Sequence, residues 1–251
     1  MRSLLLYDDF MSTHKMQEDS LRWKSYVIHT WHMQPEQLLE NSPTVVMLHG
    51  AGTSDSTRSE GLARAFADCG VRVISFDFVG HGKSTGKVSE MSLKLRTDVA
   101  SAVIEHWTAT SDKLVLCGFS MSGHTALMLT ERLGERVQAI SLMAAGTYAA
   151  QAENVLFTKE FSSIIRKEYS WQDSSALKNA EKFQGKVYML TSSHDEVIPW
   201  GVAEHLLRAF RKNAVEVRFD ALKEPGHKLA IWLSERPSRG RDIMRYLLAD
   251  G

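Results

Sequence analysis

Leu114-Val115-Leu116-Cys117-Gly118-Phe119-Ser120-Met121-Ser122-Gly123 passes from an apolar run directly into a turn of small side chains. The run reads as a buried strand, and Met121 to Leu133, rich in Ala, Leu and Met, predicts a helix. A tight turn between strand and helix lifts Ser120 above the sheet edge and crowds the chain around it. Small residues are needed where backbone passes close to backbone, which gives Gly118 and the Ser122-Gly123 pair a physical reason. The usual spacing is G-x-S-x-G. Here Ser122 stands at the last position, so modest crowding is expected, and Gly123 falls one residue too late to relieve it. Ser122 as the reactive hydroxyl would lie inside the first helical turn, so Ser120 is the preferred nucleophile.

Reading outward in both directions, strand-like and helix-like segments alternate. Thr44 to Leu48 is a continuous apolar run between Pro43 and Gly50, suited to a central strand covered on both faces. Arg58 to Cys69 has helical spacing and ends at Gly70. Val71 to Phe76 predicts a strand, a loop through Gly80, Gly82 and Gly86 follows, and Ser92 to Trp107 predicts a helix. Beyond the serine, Val137 to Met143, Val187 to Leu190 and Val215 to Phe219 predict strands, with helices over about 202–211 and 238–248. Upstream, Trp23 to Trp31 reads as one extended segment. Such alternation implies a mostly parallel central sheet with helices on both faces, in one α/β domain over 1–251. The interval between Ala144 and Lys186, about forty residues, exceeds an ordinary crossover. A small lid or cap insertion over 147–182 is expected there. Tyr148, Phe157, Phe161 and Trp171, with Trp200 nearby in sequence, are candidate pocket walls, although core packing would use the same residues.

Two further loops hold the chemistry an activated serine needs. Asp195 follows Val187-Tyr188-Met189-Leu190 and precedes a helix, so its carboxylate can orient a histidine and favour its protonated form. His227 follows the last strand behind Pro225-Gly226, and imidazole can take and return a proton near neutral pH. The helix beginning at Met121 leaves its own N–H unpaired and aimed at the site. The loop His49-Gly50-Ala51-Gly52 offers the Ala51 N–H as a second donor for an oxyanion. Glu196 and His194 are rivals for the acid and base, with bland surface roles available to both. His49, Asp77 and His81 read as structural hydrogen-bonding residues. Ten histidines make no metal motif, since HExxH, CxxC and close His/Asp clusters are absent from the sequence, so no metal or cofactor is expected.

Composition narrows the partners. Thirty Lys and Arg balance thirty Asp and Glu, so no field of one sign favours nucleic acid or an anionic membrane. Arg236 to Arg245 holds four arginines but with acids interspersed, as on a solvated helix face. Cys69 and Cys117 are too few for a disulfide framework. MRSLLLYDDF lacks the apolar length of a signal peptide, and no stretch approaches eighteen apolar residues, so a cytoplasmic protein without a membrane span is expected. Composition leaves the oligomeric state open.

HGAG, FDFVGHGKS, GFSMSG, HDEVIP and PGH, in this order, together resemble the α/β-hydrolase superfamily from about Thr44 to the C-terminus. The resemblance implies Ser120 as nucleophile, Asp195 as acid, His227 as base, and the Ala51 and Met121 amides as oxyanion donors. Gly80 to Leu93 looks most like compact serine carboxylesterases. The implied substrate is a small-molecule ester or thioester with a small to medium apolar or aryl acyl group. Two alternatives stay open: a lyase on the same scaffold, for which Lys159, Arg166 and Lys167 supply basic residues, and a non-catalytic ligand-binding or signalling protein.

Overall fold

A computed structural model describes residues 14–249, so the opening MRSLLLYDDF stretch lies outside the described residues. Eight strands form one sheet: β1 (Met16–Trp23), β2 (Tyr26–Met33), β3 (Thr44–Leu48), β4 (Val73–Phe76), β5 (Leu114–Phe119), β6 (Val137–Met143), β7 (Lys186–Ser192) and β8 (Glu216–Leu222). Their spatial order is β1-β2-β4-β3-β5-β6-β7-β8. From β4 to β8 every pairing is parallel, while β2 runs antiparallel to both of its neighbours. The single extended segment expected over Trp23 to Trp31 is instead the corner of a hairpin. Trp23 pairs with Tyr26 across Lys24-Ser25, and Lys24 adopts φ 51°. Hairpin turns of this length favour Gly or Asn at positive φ, and neither residue is present to announce the turn.

The helices are α1 (Glu60–Ala67), α2 (Leu93–Trp107), α3 (Ser122–Leu133), α4 (Lys159–Ile165), α5 (Ser175–Lys182), α6 (Trp200–Phe210), α7 (Leu229–Ser234) and α8 (Pro237–Leu248). Side chains alternate across a strand, so the unbroken apolar run of β3 feeds two cores. Val46 and Leu48 pack with Val99 and Val103 of α2, Leu129 of α3 and Leu206 of α6. Val45 and Met47 pack with Leu62 and Phe66 of α1, Leu233 of α7 and Met244 of α8. Each fully buried aliphatic side chain contributes about 1.5–3 kcal/mol, which is why a run without alternation marks a strand covered on both faces. Ser92 begins α2 by accepting a hydrogen bond from the Leu95 N–H. Among the described residues no helix is long and apolar enough to cross a membrane.

A lid-like region is inserted between β6 and β7. Its α4 sends Phe161 into a small cluster with Leu93, Met121 and Ala152, above the C-terminal end of β5. By contrast, α5 buries Ala176, Leu177 and Ala180 in the main core, as a crossover helix does. The arginines of 236–245 are paired along α8: Arg239 with Asp220, Arg241 with Asp68 and Arg245 with Asp242.

Helix α7 was not anticipated, because six residues give too little periodicity to read. It follows His227 directly and is clamped to α1. A Cβ added at Gly61 would lie 2.3 Å from the Ser234 carbonyl oxygen, and the Ser234 hydroxyl donates to the Arg58 carbonyl at 2.9 Å. Gly61→Ala therefore forces backbone from backbone, and urea denaturation is expected to show a loss of about 1–3 kcal/mol. An unchanged midpoint would mean that the two helices are not held this closely.

Candidate active site

Ser120 sits between β5 and α3 with φ 51°, in the left-handed region that a non-glycine residue rarely occupies. Such a conformation costs on the order of 1–3 kcal/mol and persists only where its surroundings impose it. Here the Ser120 N–H donates to the Met143 carbonyl, and its own carbonyl accepts from the Gly123 and Gly146 N–H groups, each at 2.9 Å. The glycines are sterically required. A Cβ at Gly118 would lie 2.5 Å from the Ser122 carbonyl oxygen, and one at Gly123 would lie 2.4 Å from the Ala145 Cβ.

Ser122 does more than crowd the turn. Its buried hydroxyl donates to the His49 carbonyl at 2.5 Å and accepts from Arg96 Nη2 at 2.8 Å. The same Nη2 donates to the His49 carbonyl at 2.9 Å, and the guanidinium lies 3.6 Å from the Phe78 ring centroid. Serine at this position thus ties the turn to the loop after β3. Sequence reasoning missed Arg96. Its signal was available, since it stands three residues from both Leu93 and Val99 on the apolar face of α2. Burial pushes the Arg96 guanidinium down, to about 9, which leaves it charged at neutral pH.

The three distant residues meet at one rim of the sheet. His227 Nε2 is 2.8 Å from Ser120 Oγ, and His227 Nδ1 is 2.8 Å and 3.0 Å from the two Asp195 carboxylate oxygens. Nδ1 therefore donates to the carboxylate, and Nε2 is left to accept from the hydroxyl. The Asp195 side chain is only 2% exposed, and its Oδ1 also accepts from the Val197 and Ile198 N–H groups. Burial pushes this carboxyl up, but the bonds from His227, Ile198 and Val197 outweigh it and hold it below its ordinary value. A second residue the sequence did not flag joins the two loops. The buried Ser192 hydroxyl accepts from the His194 and Gly226 N–H groups and donates to the Lys223 carbonyl.

The loop after β3 passes Ser120 closely, with a Cβ at Gly50 only 3.3 Å from the Ser120 Cβ. Among the described residues neither the Ala51 N–H nor the Met121 N–H has a hydrogen-bond acceptor. A cavity of about 110 Å³ opens here, lined by Gly50, Ala51, Ser120 and His227 and by the start of α7. Of the expected pocket residues, Tyr148, Phe157 and Phe161 gather with Met121 and Ala51 beneath α4. Trp171 packs in the main core against His205, and Trp200 is 41% exposed against Phe219; none of the five expected pocket residues lines the cavity at Ser120.

Of the neighbouring histidines, His49 is engaged through both ring nitrogens. His49 Nε2 accepts from the Phe78 N–H, which leaves Nδ1 to donate to the Gly50 carbonyl. Burial, followed by Arg96 and His81, pushes this imidazole well below its ordinary pKa, so it is neutral. Asp77 accepts from the Ser56 and Lys83 N–H groups, and its carboxylate fills the space a side chain at Gly82 would need. His194 and Glu196 are exposed. Burial raises the Cys117 thiol to about 12, which removes it as a nucleophile at neutral pH. Among the described residues no group of three or more His, Cys, Asp or Glu side chains is placed to hold a metal ion.

Two measurements follow from this geometry. Ser122→Ala strips Arg96 of a buried acceptor, and an unfolding free energy lower by about 1–3 kcal/mol is expected by chemical denaturation. The depressed Asp195 pKa stabilises the fold above the unfolded-state carboxylate value, and that contribution is lost as pH falls through the folded value. The stability gap between wild type and Asp195→Asn should therefore narrow on acidification from pH 7 to about pH 3. A constant gap would show that the carboxylate gains nothing from these partners.

A family model described as the alpha/beta hydrolase fold matches residues 43–172, just over half of the chain. Protein bem46 of Schizosaccharomyces pombe is 28% identical over 163 residues, 64% of this chain and 54% of that protein. The 2-hydroxy-6-oxononadienedioate/2-hydroxy-6-oxononatrienedioate hydrolase 1 of Pseudomonas putida is 36% identical over 112 residues, 43% of this chain and 38% of that protein. The chain thus spans about half or less of the length of these curated relatives. The solved structure of a putative hydrolase from Agrobacterium vitis S4 superposes with a TM-score of 0.66 at 22% identity, covering 94% of this chain and 99% of that one. With the sheet order, the turn at Ser120 and the family match in agreement, the chain belongs to the α/β-hydrolase fold family.

Proposed function

We propose that this protein is a serine hydrolase that cleaves carboxylic esters or thioesters of small to medium acyl groups through an acyl-enzyme. The observation that carries the reading is the 2.8 Å contact between Ser120 Oγ and His227 Nε2, with Asp195 hydrogen-bonded to the opposite ring nitrogen. In the first half-reaction His227 Nε2 takes the Ser120 proton as Oγ bonds to the acyl carbon. The carbonyl oxygen becomes an oxyanion, and the Ala51 and Met121 N–H groups donate to it. Each such donor contributes roughly a hundredfold to a thousandfold in rate. Collapse breaks the bond to the alcohol or thiol, which leaves with the proton from Nε2. Water then gives a proton to Nε2 and its oxygen to the acyl carbon, and collapse frees the acid and returns the proton to Ser120. Asp195 stays ionised throughout and stabilises the imidazolium.

The apolar walls of the cavity at Ser120, from Phe119, Met143, Leu229 and Ile231, support an apolar acyl moiety. The name of the Pseudomonas putida relative favours a second reading, hydrolysis of a keto diacid by the same three side chains. A panel of p-nitrophenyl esters and thioesters of graded acyl length, run beside that diacid, separates the two. Ser120→Ala and His227→Ala are each expected to lose at least about 10³-fold in kcat/KM on the preferred substrate. Wild-type rates from Ser120→Ala would overturn the assignment.

A further inference from the structure

The cavity at Ser120 is charged in a way that an ester carbonyl does not require. Arg58 and Lys228 line it and, among the described residues, no carboxylate does, while Phe119, Met143, Leu229 and Ile231 give it apolar walls. Arg58 lies half-buried on the turn Ser56–Ser59 that precedes α1. Its Nη2 donates to the Thr53 carbonyl at 2.8 Å and to Thr53 Oγ1 at 3.3 Å, which fixes the guanidinium at the mouth. Among the described residues Arg58 forms no ion pair. The two nearest acids in sequence are engaged elsewhere: Glu60 pairs with Arg64, and Asp55 turns Oδ1 to the Thr57 N–H and hydroxyl. Lys228 is exposed on the opposite side, directly after His227. The Gly61–Ser234 contact and the bond from the Ser234 hydroxyl to the Arg58 carbonyl hold the two walls together.

A guanidinium held by one backbone carbonyl keeps donors free for an anion, and its planar fork suits a carboxylate. We propose that Arg58, assisted by Lys228, binds a carboxylate carried by the substrate, so that the preferred acyl group is a short apolar chain ending in an acid. This rests on the serine-hydrolase reading and adds to it the charge of the substrate. A cavity of about 110 Å³ suits a short chain, as in the half-esters of short dicarboxylic acids.

The test compares kcat/KM for mono-p-nitrophenyl glutarate with that for p-nitrophenyl valerate, which has the same chain length and no charge. Arg58→Gln is expected to lower the glutarate-to-valerate ratio roughly ten- to a hundredfold, and Arg58→Lys to lower it less. The wild-type ratio should also fall as salt is added, because part of the attraction is screened. Lys228→Gln, at an exposed position, should lower the ratio about two- to threefold and supplies a readout independent of how Arg58 variants fold. A ratio unmoved by Arg58→Gln, Lys228→Gln and salt would overturn the proposal. Should wild type turn over neither ester, the hydrolase reading fails while the anion site remains testable. Glutarate titrated into Ser120→Ala and followed by NMR should then bind more weakly once Arg58→Gln is added, and equal binding in the two proteins would overturn the site.

Discussion

The left-handed backbone at Ser120 is the constraint on which the rest of the site depends. At φ 51° the residue is held by three main-chain hydrogen bonds, to Met143, Gly123 and Gly146, which together offset a cost on the order of 1–3 kcal/mol. That geometry presents the Ser120 hydroxyl to His227 Nε2. It also forbids side chains at Gly118 and Gly123, where neighbouring atoms already occupy the Cβ positions. Arg96 and Ser122 extend the constraint to the loop after β3, since both bond to the His49 carbonyl. The turn at Ser120 and the loop after β3, far apart in sequence, are thereby fixed to each other.

Parallel pairing supplies the rest. Because β5, β7 and β8 run in one direction, the loops that follow them emerge at one rim, where a serine, an acid and a histidine can meet. Ser192 then fixes the acid's loop against the histidine's loop through three hydrogen bonds. Asp195 is buried yet held ionised by backbone donors and by the imidazole, the combination that keeps a proton on His227 Nδ1 and leaves Nε2 to face the hydroxyl.

Much of this was readable from short local signals. Unbroken apolar runs such as Val45-Val46-Met47-Leu48 identified the central strands because both of their faces are covered. The small residues around Ser120 identified the turn because only they fit it. Features set by tertiary contact were harder to read. The β1–β2 hairpin turns at Lys24-Ser25 without glycine, and α7 is too short to show a period. Ser122 looked like an imperfect glycine until its partners Arg96 and His49 were in place. Trp171 and Trp200 have the chemistry of a pocket wall, but residue type alone does not distinguish a wall from core or surface, and they lie in the latter two.

The most direct measurement is covalent labelling by a fluorophosphonate, followed by peptide mapping of the adduct in the native and the urea-unfolded protein. If a strained turn and an imidazole together activate one hydroxyl, a single adduct should form on Ser120 in the native protein and disappear on unfolding and in His227→Ala. Labelling that maps elsewhere, survives unfolding, or never occurs in the native protein would contradict that claim.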